Sequence, residues 1–308
     1  MTGLDQDRVW ARHRPLTGAV LVVGAGAVGG FLAEELARIG FSPLVLVDPE
    51  RLAVENLLRH PLGAPALDRP KAPALAAKIR TDFPPCAATG LQADFTALPA
   101  DERRALVASA DVVVAATDSA DCQHAVNLVA LQTGTPAVFP GVWVDPRIRD
   151  AEVGEILWVD PQRPTPCYAC AAAFRRGAAD AQAARGARVD IQLVALATAQ
   201  VVTALAHAED DHAAILDPER TAIYLHGFTP TSAGVRATFP LPGLSSRPVR
   251  VPFPTRPCPA CRRSRFPSLG PVGDLPATAP GKLAVGIALA ALTVAVVVLL
   301  VSAAFGHG

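Results

Sequence analysis

The sequence predicts an α/β fold built on a doubly wound, mostly parallel sheet, and two observations predict it. The first is the stretch over residues 19–59, AVLVVGAGAVGGFLAEELARIGFSPLVLVDPERLAVENLLR. An apolar run turns through Gly24, Gly26 and Gly29, continues as a helical pattern and meets a second apolar run that ends at Asp48. Strand, glycine turn, helix, strand, with an acid about twenty residues after the turn, is the spacing of a Rossmann-like nucleotide-binding βαβ unit. The second is the run over residues 111–117, DVVVAAT, ended by Asp118 and Ser119. Such a run reads as a parallel strand buried on both faces, and acids at its C-terminal end stand where open α/β sheets bind ligands.

Within the turn, Gly24 permits the tight bend, Gly26 lets backbone amides approach a phosphate, and Gly29 lets the helix pack against the strand. The helix N-terminus then faces the anion. Nicotinamide, flavin and ATP enzymes all use this turn, so the residues after Asp48 decide among them.

Taken in order, residues 1–18 are short and polar, with Trp10, Arg12 and His13 the notable side chains. After the first βαβ unit, residues 71–80 read as a helix, 86–92 as a short strand, 101–108 as a helix, 111–117 as the buried strand, 121–133 as a helix and 136–139 as another strand. VWV and GEILWVD read as later strands leading to Cys167. Residues 175–188 are a low-complexity Ala/Gly/Arg loop, and 189–209 form a near-continuously apolar helix, hence a buried one. Prolines recur so densely over 240–280 that regular structure is not expected there, except where a metal pins Cys258 and Cys261.

The chain has 308 residues, enough for one large domain or two modest ones. Its 28 Lys and Arg balance 28 Asp and Glu, so no global field points to nucleic acid or acidic lipid and any anion site is local. The start, MTGLDQDRVWARHRP, lacks a secretory apolar run, which points to a cytoplasmic globular part. Four of the six cysteines form two CxxC pairs, Cys167/Cys170 and Cys258/Cys261. In a reducing compartment that pattern suits a tetrahedral Zn²⁺ with no open position, a zinc-stabilised C-terminal part. Cys86 and Cys122 read as small buried apolar residues. Residues 283–305 run for about 23 positions without a charge, enough to cross the roughly 30 Å hydrocarbon core as a single C-terminal transmembrane helix. Lys282 and the cluster Arg262, Arg263 and Arg265 before it keep the large domain cytoplasmic by the positive-inside tendency.

Beyond Asp48 come Glu50, Asn56 and Arg59 at fixed offsets, with Lys71 farther on. A dehydrogenase needs an acid for its ribose but has no use for an Asn, an Arg and a Lys after it. Bringing ATP phosphates close to an attacking carboxylate does need cations, since both reactants are negative. Here the sequence resembles the ubiquitin-activating-enzyme-like superfamily, the ThiF, MoeB and HesA adenylyltransferases, over roughly residues 8–265. In that family an acid, a second acid two residues on, an Asn and an Arg followed by Gln stand at these offsets; this chain has Asp48, Glu50, Asn56, Arg59 and His60.

The resemblance implies that Asp48 holds the ATP ribose and that Asn56, Arg59 and Lys71 hold the phosphates. It aligns Trp10, Ala11, Arg12 and His13 with a family pattern whose Arg reaches the γ-phosphate across a homodimer interface. It makes Asp118 the holder of Mg²⁺, in keeping with that ion's preference for carboxylate and phosphate oxygen. Ser119 and Gln123 stand where the family has Asn and Arg. Relatives that form a thioester carry a cysteine in the loop after the first CxxC, and this loop, AAAFRRGAADAQAARG, has none.

The expected organisation is a nucleotide-binding adenylation domain over 1–175, a crossing loop, buried helix and remaining sheet over 176–240, a Pro-rich segment with the second CxxC over 241–281, and the membrane anchor over 282–305. The expected activity is ATP-dependent activation of the C-terminal carboxylate of a small ubiquitin-like or sulfur-carrier protein, or a peptide, as an acyl-adenylate. Two rivals share part of the pattern. One is a catalytically degenerate, membrane-anchored module that docks a ubiquitin-like partner, favoured by Gln123; the other is an NAD-dependent oxidoreductase, which gives Asn56, Arg59 and Lys71 no task.

Overall fold

The computed structural model describes residues 16–144, 152–175, 188–207, 216–226 and 245–265. Trp10, Arg12 and His13, most of the Ala/Gly/Arg loop and the apolar run over 283–305 lie outside the described residues. The first βαβ unit forms as the spacing predicts: β1 (Val20–Val23), α1 (Ala27–Ile39) and β2 (Leu44–Val47). α1 stops at Gly40, whose φ of 119° lies in the left-handed region and whose N–H donates to Leu36 O at 3.1 Å. There follow α2 (Lys71–Asp82), β3 (Ala88–Leu91), α3 (Ala100–Ala108), β4 (Val112–Ala115), α4 (Ala120–Thr133), β5 (Ala137–Val144) and β6 (Glu152–Val159). The later elements are α5 (Tyr168–Arg175), α6 (Arg188–Ala206), β7 (Ala222–His226) and β8 (Ser245–Val249).

The strands form one sheet in the order β3-β2-β1-β4-β5-β6-β7-β8. Strand order reverses beside β1, which pairs in parallel with both β2 (Val22 opposite Leu46) and β4 (Val22 opposite Val114). A crevice at the C-terminal ends of β1 and β4 follows from that reversal, because the helices after the two strands diverge to opposite faces. Successive β1 side chains show the two faces. Val20 and Val22 join a core with Leu32 and Leu36 of α1, Leu75 and Ile79 of α2, and Val194 and Val202 of α6. Leu21 and Val23 join another with Val107 of α3, Val126 and Val129 of α4, and Cys122, Cys167, Cys170 and Cys258. Both faces are covered, so β1 and β4 read as solid apolar runs rather than alternating ones.

Two expectations need correction. The sheet is mixed rather than mostly parallel: β5–β6, β6–β7 and β7–β8 are antiparallel. β5 continues past the expected 136–139 through VWV as one eight-residue strand and pairs along its whole length with β6, which begins too soon after Val144 for the crossover of about a dozen residues that parallel pairing needs. The proline-dense region also contains a strand, β8. Among the described strands it lies at the sheet edge, paired only with β7, where Pro248 removes no ladder bond needed on a second side. The near-continuously apolar helix is buried as expected: α6, the one described helix long and apolar enough to cross a membrane, is packed in the core against α1 and the sheet. The expected C-terminal span lies outside the described residues. One compact unit extends to Arg265 and thus includes the second CxxC.

Candidate nucleotide site and cysteine cluster

The glycine turn leaves β1 with three separate jobs. Gly24 has a φ of +98°, and a Cβ there would sit 2.5 Å from Ala116 O, so the turn presses against the end of β4. A Cβ on Gly29 would meet Gly24 O at 1.9 Å, so α1 packs directly on the turn. At Gly26, the N-cap of α1, a Cβ would find nothing within 4 Å, because this residue faces the crevice with no side-chain cap over the helix N-terminus. Two glycines thus build the turn and the third leaves its mouth open.

The crevice has a volume of about 1380 Å³ and is lined by Gly24, Gly26, Asp48, Glu50, Asn56, Arg59, Lys71 and Asp118, together with His60, Gln123 and Glu155. Most of the residues expected to act together therefore meet in one place. Gly29 does not line it and has a packing role; Arg12 lies outside the described residues.

Asp48, at the end of β2, is buried and accepts Ala25 N–H at 2.7 Å on Oδ2 and Glu50 N–H at 2.8 Å on Oδ1. Burial holds its carboxyl above the usual range, against the pull of those two amides and of Lys71. Lys71, first residue of α2, is 4% exposed, and its Nζ pairs with the Glu50 carboxylate. Asn56 ends a 3-10 turn (Val54–Asn56) and accepts Ala53 N–H at 3.1 Å on Oδ1. Arg59 is half-buried and has no ion-pair partner among the described residues. Asp118 is exposed at the end of β4 and likewise unpaired among them. The cations lining the crevice are Arg51, Arg59 and Lys71, against Asp48, Glu50, Glu55, Asp94, Asp118, Asp121 and Glu155.

The two residues after β4 that depart from the resembled pattern have structural employment. Ser119 is the N-cap of α4 and accepts Cys122 N–H at 3.2 Å. Gln123 donates from Nε2 to Thr117 O at 2.8 Å, bracing the segment that carries Asp118. Sequence reasoning passed over Glu155, buried on β6 and facing the crevice; the available signal was an acid inside the otherwise apolar GEILWV run. It also passed over Tyr168, which follows Cys167, lines the crevice and packs its ring 4.8 Å from Phe139 and 4.9 Å from His124. Asn127 fastens that segment by accepting Tyr168 N–H at 3.0 Å.

The four CxxC cysteines gather with all sulfurs within 4.8 Å of one another. The separations are 3.8 Å for Cys167–Cys170, 3.7 Å for Cys167–Cys258 and 3.7 Å for Cys170–Cys261. A disulfide requires about 2.0 Å. Four thiolates at about 2.3 Å from a tetrahedral Zn²⁺ stand about 3.8 Å apart, so the donor set and spacing fit that ion. Cys258 N–H donates to Arg263 O at 2.8 Å and Arg263 Nη1 donates to Arg163 O at 2.8 Å, closing the second CxxC onto the loop before the first. Burial raises both Cys86 and Cys122 to about 11, so neither is a thiolate at neutral pH.

A glycine turn at a strand-order reversal, cations and carboxylates around one crevice, and four cysteines gathered at metal-ligating spacing define an α/β protein of the Rossmann-like class with a candidate metal cluster. The chain belongs to the ThiF family, whose pattern matches residues 13–305. It is 30% identical over 174 residues to the SAMP-activating enzyme E1 of Haloferax volcanii, covering 54% of this chain and 58% of that protein. It is 27% identical over 168 residues to the sulfur carrier protein ThiS adenylyltransferase of Escherichia coli, covering 54% and 63%. To the ATP-dependent ubiquitin transferase-like protein Cap2 of Pseudomonas aeruginosa it is 34% identical over 109 residues, only 19% of that protein. The chain thus spans less than two thirds of each of these relatives. In fold it is similar to E. coli MccB solved with ATP, at a TM-score of 0.56 and 15% identity, covering 83% of this chain and 68% of that one.

Proposed function

We propose that this chain is an ATP-dependent adenylyltransferase that activates the C-terminal carboxylate of a small ubiquitin-like or sulfur-carrier protein, or of a peptide, as an acyl-adenylate. The observation that carries the reading is the convergence of Asp48, Asn56, Arg59, Lys71 and Asp118 on the crevice beside Gly26. In this reading Asp48 takes the ribose, while Gly26, Asn56, Arg59 and Lys71 take the phosphates. An acceptor carboxylate oxygen attacks the α-phosphorus; the bond to the bridging oxygen breaks, and pyrophosphate leaves with the electron pair. The residues supply position and charge and no nucleophile, as this displacement needs.

Mg²⁺ fits the donors available. Acids outnumber cations in the lining, and Asp118 offers an exposed carboxylate with no ion-pair partner among the described residues. When bound, the ion would neutralise charge on the phosphates. The same shortage of cations gives Arg12 of a second copy a task at the γ-phosphate of a homodimer. The names of relatives support the acceptor class: one acts on ThiS, another on SAMP, and MccB has been solved in complex with N-formylated MccA. With no cysteine in the crossing loop, the reaction stops at the adenylate. Residues 283–305 would tether the enzyme to a membrane, since their uncharged length suits a span.

The test is exchange of labelled pyrophosphate into ATP by the full chain given a candidate acceptor, with Asp118→Ala abolishing it. Wild-type protein that binds Mg-ATP yet exchanges nothing with any acceptor overturns the reading. It would then favour the docking module, for which the observation is Gln123, tied to Thr117 O where the family carries an Arg.

A further inference from the structure

Resting on the nucleotide-site reading above, we propose that His60, as a neutral imidazole carrying its proton on Nε2, is a positioning residue that fixes the glycine turn and sets its distance from Asn56 and Arg59. His60 is 2% exposed. Its Nε2 lies 2.8 Å from Ala25 O, and its Nδ1 lies 3.0 Å from Leu62 N. A carbonyl oxygen only accepts and a backbone N–H only donates, so the pair of contacts fixes one tautomer: Nε2 donates and Nδ1 accepts. A protonated ring has two donors and loses the Leu62 bond.

Ala25 lies between Gly24 and Gly26, and its peptide groups are held from both sides. Its N–H goes to Asp48 and its C=O to His60. The linkage continues to Glu50 through Asp48 and to Lys71 through Glu50 O, which accepts Lys71 N–H at 2.9 Å. On the other side Leu62 is anchored in the core around α1. Gly30 permits the close approach, for a Cβ there would meet Pro61 Cγ at 2.8 Å. The segment bearing Asn56 and Arg59 is therefore tied to the turn through one ring. A Gln can make the same pair of bonds, donating from its amide nitrogen and accepting on its oxygen.

The experiment compares wild type, His60→Gln and His60→Leu in the full chain by titration calorimetry with Mg-ATP and with adenosine, and reads the ring nitrogens by ¹⁵N NMR. His60→Leu leaves a buried carbonyl and a buried N–H unpaired, so it should weaken Mg-ATP about tenfold or more while changing adenosine affinity less than about threefold. His60→Gln should recover Mg-ATP affinity to within about twofold, and the wild-type ring should show the Nε2–H neutral form. Equal Mg-ATP binding by His60→Leu, equal loss of ATP and adenosine, failure of Gln to rescue, or the other tautomer each overturns the proposal. If wild type binds no Mg-ATP at all, the nucleotide-site reading fails instead.

Discussion

Glu50 and Lys71 hold each other twice: Lys71 N–H donates to Glu50 O at 2.9 Å, and the buried Nζ pairs with the Glu50 carboxylate. The buried lysine is thereby held in place while its partner's side chain remains two-thirds exposed. Lys71→Met should lower pyrophosphate exchange on the order of a hundredfold or more, the scale for losing a preorganised charge at a reacting phosphate. Glu50→Gln should leave exchange measurable but lower the melting temperature of the nucleotide-free protein, with Mg-ATP restoring more of it than in wild type. Differential scanning calorimetry with and without nucleotide reads both.

The three glycines of the turn should separate stability from binding. Gly26→Ala meets open space at a φ of −73°, so it should fold with a change within about 0.5 kcal/mol while losing Mg-ATP affinity. Gly29→Ala drives a Cβ into Gly24 O and should destabilise by several kcal/mol, whatever the ligand. Urea melts paired with nucleotide titration make the comparison.

Stability should depend on pH through His60. Burial, reinforced by the Lys71 charge, holds the ring below its ordinary value of about 6.5 despite the Ala25 contact. The unfolded chain therefore binds a proton that the folded chain resists. The contribution is fully present above about pH 6.5 and is lost as pH falls below that value toward the folded pKa. Denaturant midpoints from pH 7.5 down to 5 should fall more steeply for wild type than for His60→Gln, in which the group does not titrate. Asp48 and Lys71 are the nearby charged groups, and both are unchanged in that variant.

Metal removal should be felt in the crevice. Chelation should release about one Zn²⁺ per chain. Cys258→Ser should lower the melting temperature on the order of 10 °C. Because Tyr168 follows Cys167 and lies against Phe139 at the crevice wall, acceptor-dependent exchange should fall further than Mg-ATP affinity. Metal analysis, calorimetry and exchange on one preparation read all three.

Asp48, Asn56, Arg59 and Lys71 were legible because each is polar at a short, fixed distance after a strand whose end must face the crevice. The parallel half of the sheet was legible for the same reason: runs such as VLVV and VVVA have no polar face to offer water. What was not legible depended on approach between distant segments. His60 meets Ala25 from 35 positions away, and nothing in either residue type announces the contact. Glu155 was hidden by its apolar neighbours. The antiparallel pairing follows from the short stretch between β5 and β6, and it was hidden because a run such as PAVFPGVWV, broken by Pro140 and Gly141, does not read as a single strand. β8 was masked by prolines that an edge position tolerates.

The cysteine cluster joins sulfurs 91 positions apart in the chain. Every described polypeptide element of the phosphate cradle, from Gly24 to Asp118, has left the ribosome well before Cys258 is made. Because chains emerge from the N-terminus and domains fold as units in that order, the cradle can assemble during synthesis while the wall bearing Tyr168 waits for the last knuckle. The closure of so long a loop then comes late in synthesis, so a polypeptide cut short before Cys261 would hold the pieces of the crevice without the wall that completes it.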